Sequence, residues 1–338
     1  MALRVAINGF GRIGRMVFRV LWQRRDEIEV VAINNVPYNI TGLCNLLRYD
    51  SSYGRFPGRV EAQEHALVVD GVRIPVHDIP EPAKLPWGEL GVDVVLESTG
   101  VFRRRAQCAQ HLEAGAKRVV LSAPARDEVD ATVVLGVNDA ILRPEHRIVS
   151  NASCTTNCLA PVAKVLHERF GLARGLMTTV HAVTNDQALL DVVHRKDPRR
   201  GRGAAYNIVP TSTGAAKAVG LVLPELAGRL NGMAMRVPVP VGSIVDLVAE
   251  TERPVTVQAV HDAMREASEG ALRGILAYND DWIVSSDIVG RSESSIYDAT
   301  LTLGLGEHMV KVCSWYDNEW GYASRCADLM HKLAGFGD

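Results

Sequence analysis

The feature that most constrains the fold lies near the N-terminus. A short apolar alternation over 3–7 reads as a strand, and Gly9, Gly11 and Gly14 follow it in G-x-G-x-x-G spacing. They open an amphipathic stretch over 12–24 that reads as a helix. Each glycine has its own physical task. Gly9 permits the tight turn, Gly11 lets backbone approach a pyrophosphate, and Gly14 lets helix pack closely on strand. The unpaired N–H groups of the helix N-terminus then receive the pyrophosphate. The spacing alone is weak, but a strand precedes it, a helix follows, and a second strand pattern over 29–33 comes at the right distance. That context predicts an α/β chain with a Rossmann-type doubly wound parallel sheet binding a dinucleotide.

Further strand–turn units extend this sheet. Residues 92–96 end in Glu97-Ser98-Thr99-Gly100, and a helical stretch covers 104–115. Residues 118–121 end in Ser122-Ala123-Pro124, and strands over 131–137 and 147–149 complete the sheet. Loops at the carboxyl ends of parallel strands hold ligands in such sheets. Ser98, Thr99 and Ser122 fit that role and also fit plain turns. The second strand normally ends in an acidic residue for the ribose hydroxyls. Here Asn34-Asn35 stand there instead. An amide hydrogen-bonds a ribose without repelling a 2′-phosphate, so NADP stays open beside NAD; Asn35 before Val-Pro also fits a simple turn. Between 48 and 86 the turn signals predict extended hairpins.

The chain then reaches S-N-A-S-C-T-T-N-C at 150–158, with helical sequence over 159–170 directly after. Ser153 can cap that helix, placing Cys154 in its first turn. Unpaired N–H groups and the positive dipole end favour thiolate there. Such a thiolate is a nucleophile with donors aimed at the oxygen of a carbonyl it attacks. The competing reading is one small half-buried cysteine among six. The strand G-L-M-T-T-V-H ends at His181, 27 residues after Cys154, enough for one helix and a returning strand. A neutral imidazole there can take the thiol proton.

A basic loop follows, with Arg195, Lys196, Arg199, Arg200 and Arg202. It reads as a solvated surface, a nucleic-acid patch, or a phosphate or subunit contact. Thr213-Gly214 end a hydroxyl-rich turn before a helix over 215–223, a second N-terminus suited to an anion. Arg236, embedded in apolar sequence, needs a phosphate or carboxylate partner. Strands over 233–241, 244–251, 295–303 and 308–315 surround a helix over 256–269. They predict an α+β catalytic domain with a large mixed or antiparallel sheet. A C-terminal helix over 323–333 closes the chain. With 338 residues, the chain is too long for one ordinary core. It divides into a dinucleotide domain over 1–152 and a catalytic domain over 153–317, with 318–338 packing back on the first.

Net charge is -2, which argues against a dedicated nucleic-acid or acidic-membrane partner. No apolar run is long enough to span a bilayer. No signal-peptide layout precedes the first strand. Cys44, Cys108, Cys313 and Cys326 lack metal-ligand spacing, so they read as structural, with no metal and a reducing, cytoplasmic setting.

I-N-G-F-G-R-I-G-R at 7–15, the cysteine motif through Pro161, T-T-V-H at 178–181 and S-W-Y-D-N-E at 314–319 resemble phosphorylating glyceraldehyde-3-phosphate dehydrogenase. T-S-T-G-A-A-K-A-V-G and N-G-M-A-M-R-V-P tighten the resemblance, which covers essentially the whole chain. It implies that Cys154 attacks the aldehyde, that His181 takes the thiol proton, and that a thioester is cleaved by inorganic phosphate. It implies that Thr184, Asp186 and Arg236 bind the substrate C3 phosphate. Ser153, Thr155, Thr213 and Gly214 would bind the attacking phosphate, with Arg200 nearby. Cofactor contacts carry over to Gly9, Phe10, Gly11, Arg12, Ile13, Gly14, Asn35, Ser98, Thr99, Gly100, Ser122 and Asn318, with Tyr322 near the nicotinamide. A homotetramer is implied, with the loop over 191–202 at a neighbour's cofactor site.

Two departures bear on the cofactor. Asn35 stands where NAD-specific members usually carry aspartate, and 79–82 lacks the arginine often seen near the adenine. Val192-Val193, by contrast, match the apolar pair of NAD-type members. The expectation is NAD use with appreciable NADP acceptance. Erythrose-4-phosphate dehydrogenase shares a similar scaffold and is the nearest rival; RNA binding is a non-enzymatic one. Cys158, four residues after Cys154, reads as a packed residue or as a thiol that resolves oxidised Cys154.

Overall fold

A computed structural model describes residues 2–195 and 197–336; Lys196 of the basic loop lies outside them. The chain divides into two compact units. One takes the N-terminus through Val133, Asp139–Ala152 and the chain from Ala323 onward; the other takes Val134–Asn138 and Ser153–Tyr322. No helix among the described residues is long and apolar enough to cross a membrane.

The first unit holds a nine-stranded sheet. Its order is Ala131–Thr132, Ile148–Ser150, Arg118–Leu121, Val94–Glu97, Leu3–Asn8, Ile28–Asn34, Val72–His77, Ala66–Val69 and Val60–Gln63. Strands from Ala131–Thr132 to Val72–His77 run parallel. The last two close as an antiparallel hairpin. Central strands such as Val94–Glu97 are buried throughout, as parallel strands covered on both faces require. The chain steps from Leu3–Asn8 to one side, then returns to its other side at Val94–Glu97. That reversal makes a switch point, and the carboxyl ends flanking it carry Gly9 and Ser98.

The strand expected over 131–137 stops at Thr132. Gly136 sits in the left-handed region at φ +80°, Val137 N bonds Val134 O at 3.0 Å, and Asn138 Oδ1 accepts from Val134 N at 2.9 Å. These local turns replace the ladder. A helix over Ile40–Arg48, capped by Asn39, was not anticipated.

The second unit holds a seven-stranded mixed sheet. Its order is Val209–Ser212, Leu230–Arg236, Leu172–His181, Ser243–Thr251, Met309–Tyr316, Ser295–Leu305 and Leu276–Asn279. Leu230–Arg236 runs parallel to Leu172–His181, and Leu276–Asn279 to Ser295–Leu305; the other pairs are antiparallel. Helix Cys154–Phe170 packs against this sheet and against helices Ala215–Val222 and Val257–Glu269. The strand expected over 233–241 instead starts at Leu230 and ends at Arg236. Val237-Pro238-Val239-Pro240 follow, and prolines have no N–H to continue a ladder. Arg236 thereby becomes a strand end.

Candidate active site

In the second unit Ser153 caps helix Cys154–Phe170: its Oγ accepts from Thr156 N at 3.0 Å. Ala152, at φ +53°, turns the backbone just before this cap. Cys154 thus opens the helix, half-buried, as the cap predicted. Strand Leu172–His181 alternates Thr179 and His181 onto one face. His181 Nε2 comes to 3.6 Å from Cys154 Sγ. The sheet register pairs His181 with Arg236 on the neighbouring parallel strand. Arg236 Nη1 lies 2.5 Å from His181 Nδ1 and donates to Ala182 O at 3.0 Å.

Opposing influences act on the two reacting groups. Burial pushes the Cys154 thiol above its ordinary range, although the Arg236 guanidinium and the Thr155 hydroxyl and N–H pull the other way. Burial, followed by Arg236, draws His181 down to about 3. Desolvation of the sulfur thus opposes the pull of the helix terminus and of Arg236 toward thiolate.

Tyr316 was missed by sequence reasoning. Its OH shares hydrogen bonds with Thr155 and Thr179 hydroxyls at 2.8 Å each, and its ring stands edge-on to His181 at 5.9 Å. The strand expected over 308–315 stopped one residue short of it, and its apolar pattern gave no signal of this bridge.

Around this centre lie the predicted anion residues. Asp186 accepts from the Thr184 hydroxyl and from Arg200 Nη1 at 2.5 Å. Arg200 Nε donates to Thr211 Oγ1 at 2.9 Å. Thr213 Oγ1 accepts from Ala215 N at 3.2 Å at the start of helix Ala215–Val222, and a Cβ on Gly214 would meet open space. Of the basic loop, Arg202 pairs with Asp191, so part of its charge is internally neutralised. Asn318 Oδ1 accepts from Gly242 N and Ser243 Oγ, and Tyr322 is buried. Cys158 is fully buried against Ser295 and Ser314, its thiol pushed up to about 12, which fits the packed reading.

In the first unit Gly9 takes φ +95°, and a Cβ there would lie 2.6 Å from Thr99 N. A Cβ on Gly14 would lie 2.1 Å from Gly9 O, so the helix crosses the strand at glycine distance. Gly11 faces open space at the helix start, where Ile13 lies in the first turn. Arg12 pairs with Asp50. Phe10 N donates to Asn35 Oδ1 at 2.9 Å, so the amide also pins the fingerprint turn. Ser98 Oγ donates to Gly9 O at 2.7 Å, and Ser122 Oγ to Glu97 O at 3.1 Å. Gly100 is left-handed with no neighbour for a Cβ. Beneath these loops lies an unanticipated network. Buried Glu97 accepts from Thr99 N at 2.9 Å, the Thr99 hydroxyl, Asn8 Nδ2 at 2.5 Å and His111 Nε2 at 3.1 Å.

Residues 3–105 match the family model for the glyceraldehyde 3-phosphate dehydrogenase NAD binding domain, and 153–318 match the model for the C-terminal domain. The chain is 56% identical over 338 residues to glyceraldehyde-3-phosphate dehydrogenase of Geobacillus stearothermophilus, covering all of both chains. It is 57% identical over 331 residues to the enzyme of that name from Thermotoga maritima, covering 98% of each. It is 55% identical over 335 residues to glyceraldehyde-3-phosphate dehydrogenase 1 of Bacillus subtilis, covering 99% of each. With a cysteine–histidine centre in one unit, a glycine fingerprint in the other and this similarity along its length, the chain belongs to the glyceraldehyde-3-phosphate dehydrogenase family.

Proposed function

We propose that this chain oxidises D-glyceraldehyde 3-phosphate with NAD and inorganic phosphate to 1,3-bisphosphoglycerate. The observation that carries the reading is Cys154 Sγ at 3.6 Å from His181 Nε2 at a helix start, with Arg236 beside them. Sγ bonds to the aldehyde carbon while its proton passes to Nε2. The hemithioacetal oxygen meets backbone N–H groups of the first helical turn. NAD, when bound, supplies the acceptor for the hydride that leaves this carbon. A thioester remains on Cys154. A phosphate oxygen then attacks it, and the sulfur leaves as thiolate. A sulfur nucleophile retains the oxidation energy that an oxygen ester would lose.

Arg236 and Thr184 serve the C3 phosphate. A carboxylate repels phosphate, so Asp186 acts by holding Arg200 and Thr184. Ser153, Thr155, Thr213, Gly214 and Arg200 serve the attacking phosphate. The fingerprint fits a dinucleotide: space beside Gly11 is open at a helix N-terminus. Gly9–Gly14, Asn35, Ser98, Thr99 and Ser122 are the proposed cofactor residues of the first unit, and Asn318 and Tyr322 those of the second. NADP is accepted as well, because an amide rather than a carboxylate stands at Asn35.

We also assign a homotetramer to the chain. Leu189, Leu190, Val192 and Val193 are exposed in the loop over 191–202 and just before it, Val193 at 97%, and a contact between copies would cover them. Sedimentation that shows a monomer would overturn this. All six cysteines are free, which suits the cytoplasm.

The deciding test measures NADH formation from glyceraldehyde 3-phosphate with and without inorganic phosphate. Wild type should require phosphate, and Cys154→Ser should lose turnover by about 10³-fold or more while still binding NAD. Full activity in Cys154→Ser would refute the mechanism. Faster, phosphate-independent turnover of erythrose 4-phosphate would move the chain to the rival activity.

A further inference from the structure

We propose that Glu97 is a positioning residue for the cofactor: a buried carboxylate toward which the surrounding donors are oriented, and which fixes Thr99 against the fingerprint turn. The inference deepens the dinucleotide reading of the first unit and rests on it.

Glu97 is fully buried at the end of strand Val94–Glu97. The sheet register pairs Asn34 with Asn8 and Asn8 with Glu97, so the carboxyl ends of three neighbouring strands lie in one row. Backbone groups set the direction of each hydrogen bond along it. Ile79 N donates to Asn34 Oδ1 at 2.9 Å, and Ile79 O accepts from Asn34 Nδ2 at 3.0 Å. The second hydrogen of Asn34 Nδ2 goes to Asn8 Oδ1 at 2.7 Å. Asn8 then turns its own Nδ2 to Glu97 Oε2, at 2.5 Å.

A second chain of bonds arrives from Trp87. Its indole Nε1 can only donate, and it lies 3.0 Å from His111 Nδ1. His111 Nδ1 therefore accepts, the ring proton sits on Nε2, and Nε2 donates to Glu97 Oε2 at 3.1 Å. Asn8 Nδ2 and His111 Nε2, 3.5 Å apart, converge on that oxygen. The other oxygen, Oε1, takes Thr99 N at 2.9 Å and the Thr99 hydroxyl, which accepts in turn from Val101 N at 3.1 Å. Glu97 thus meets four donors, two on each oxygen, and a buried group so surrounded is satisfied as a carboxylate.

What the carboxylate holds is the loop proposed to take the cofactor. Thr99 N lies 2.6 Å from the point that a Cβ on Gly9 would occupy, so the loop backbone rests directly on the fingerprint turn. Glu97 fixes Thr99 on one side of that contact and Asn8, the residue before Gly9, on the other. Ser98 Oγ closes it with bonds to Asn8 O at 3.1 Å and Gly9 O at 2.7 Å. An amide at position 97 breaks the arrangement. Its NH2 group would face either the Thr99 pair or the Asn8 and His111 pair, and either way a buried N–H meets another N–H.

Calorimetry of NAD binding to the full-length protein tests this for wild type, Glu97→Gln and Glu97→Asp, with thermal melts to establish folding. Glu97→Gln should weaken NAD about tenfold or more and raise KM for NAD by a similar factor, while KM for the aldehyde stays within about twofold. Equal NAD affinity in wild type and Glu97→Gln overturns the inference, and so does an equal rise in both KM values, which marks a general loss of structure. Should Glu97→Gln fail to fold, Glu97→Asp decides. It keeps the charge but draws it back by one methylene, and should weaken NAD about threefold or more; unchanged affinity overturns the inference. ¹⁵N-histidine spectra of the wild type, with His111 assigned through its contact with the Trp87 indole proton, should show a protonated Nε2 and a bare Nδ1; a proton on Nδ1 also overturns it. A wild type that binds no NAD would reject the cofactor reading itself, whereas NAD binding that ignores residue 97 rejects this inference alone.

Discussion

His181 and Arg236 are register partners on two parallel strands, and their side chains meet with Nδ1 2.5 Å from a guanidinium nitrogen. A strand end fixes each residue, so their approach is set by backbone pairing and not by a flexible loop. The centre of the second unit is therefore rigid where the chemistry needs a fixed distance.

Replacing Arg236 with leucine should strike turnover of the phosphorylated aldehyde. Losing one partner of a desolvated charge pair costs about 2–5 kcal/mol, or roughly 30-fold to several thousand-fold in kcat/KM. Steady-state kinetics with glyceraldehyde 3-phosphate checks this, and an unchanged kcat/KM would remove Arg236 from the phosphate site.

Cofactor choice turns on Asn35. Asn35→Asp keeps an acceptor for Phe10 N, which now bonds Oδ1 at 2.9 Å, so the turn should survive. The added carboxylate repels a 2′-phosphate. kcat/KM with NADP should fall about tenfold or more while NAD use holds. Strict NAD preference of the wild type, by several hundredfold, would sink the relaxed-specificity reading.

Gly14→Ala tests the fingerprint. Its Cβ would lie 2.1 Å from Gly9 O, so helix and strand must separate. Overpacking of this kind costs about 1–3 kcal/mol. Calorimetry should show a lower Tm and weaker NAD binding; retention of both would mean the crossing is looser than glycine distance.

The thiol should be sluggish in the protein without NAD. Burial raises Cys154 above its ordinary 9.0, so iodoacetamide alkylation should climb with pH through and beyond that range. A plateau of reactivity at acidic pH, marking a thiolate–imidazolium pair, would show the helix terminus and Arg236 prevailing over burial.

His181 also carries a stability signature. Its folded value of about 3 lies below the ordinary 6.5, so the unfolded chain binds more protons between the two. Stability is whole above 6.5 and declines as pH falls toward 3. His181→Gln should flatten that decline in thermal melts. Equal slopes for variant and wild type would show that the ring titrates without cost.

The sequence by itself determined the local features. The glycine spacing, the Ser153 cap and the alternation that puts Thr179 and His181 on one face are all nearest-neighbour properties of the chain. They sufficed for the parallel sheet, for the helix bearing Cys154 and for the family. Tertiary structure decided what depends on distant partners. It set the Arg236 side chain against His181. It tied Thr155 to Tyr316, and gathered Asn8, Thr99 and His111 around a buried Glu97. It also set desolvation against the helix terminus at Cys154. The helix terminus is a local effect and legible in sequence, whereas desolvation depends on everything packed around the sulfur, and here it is the larger of the two.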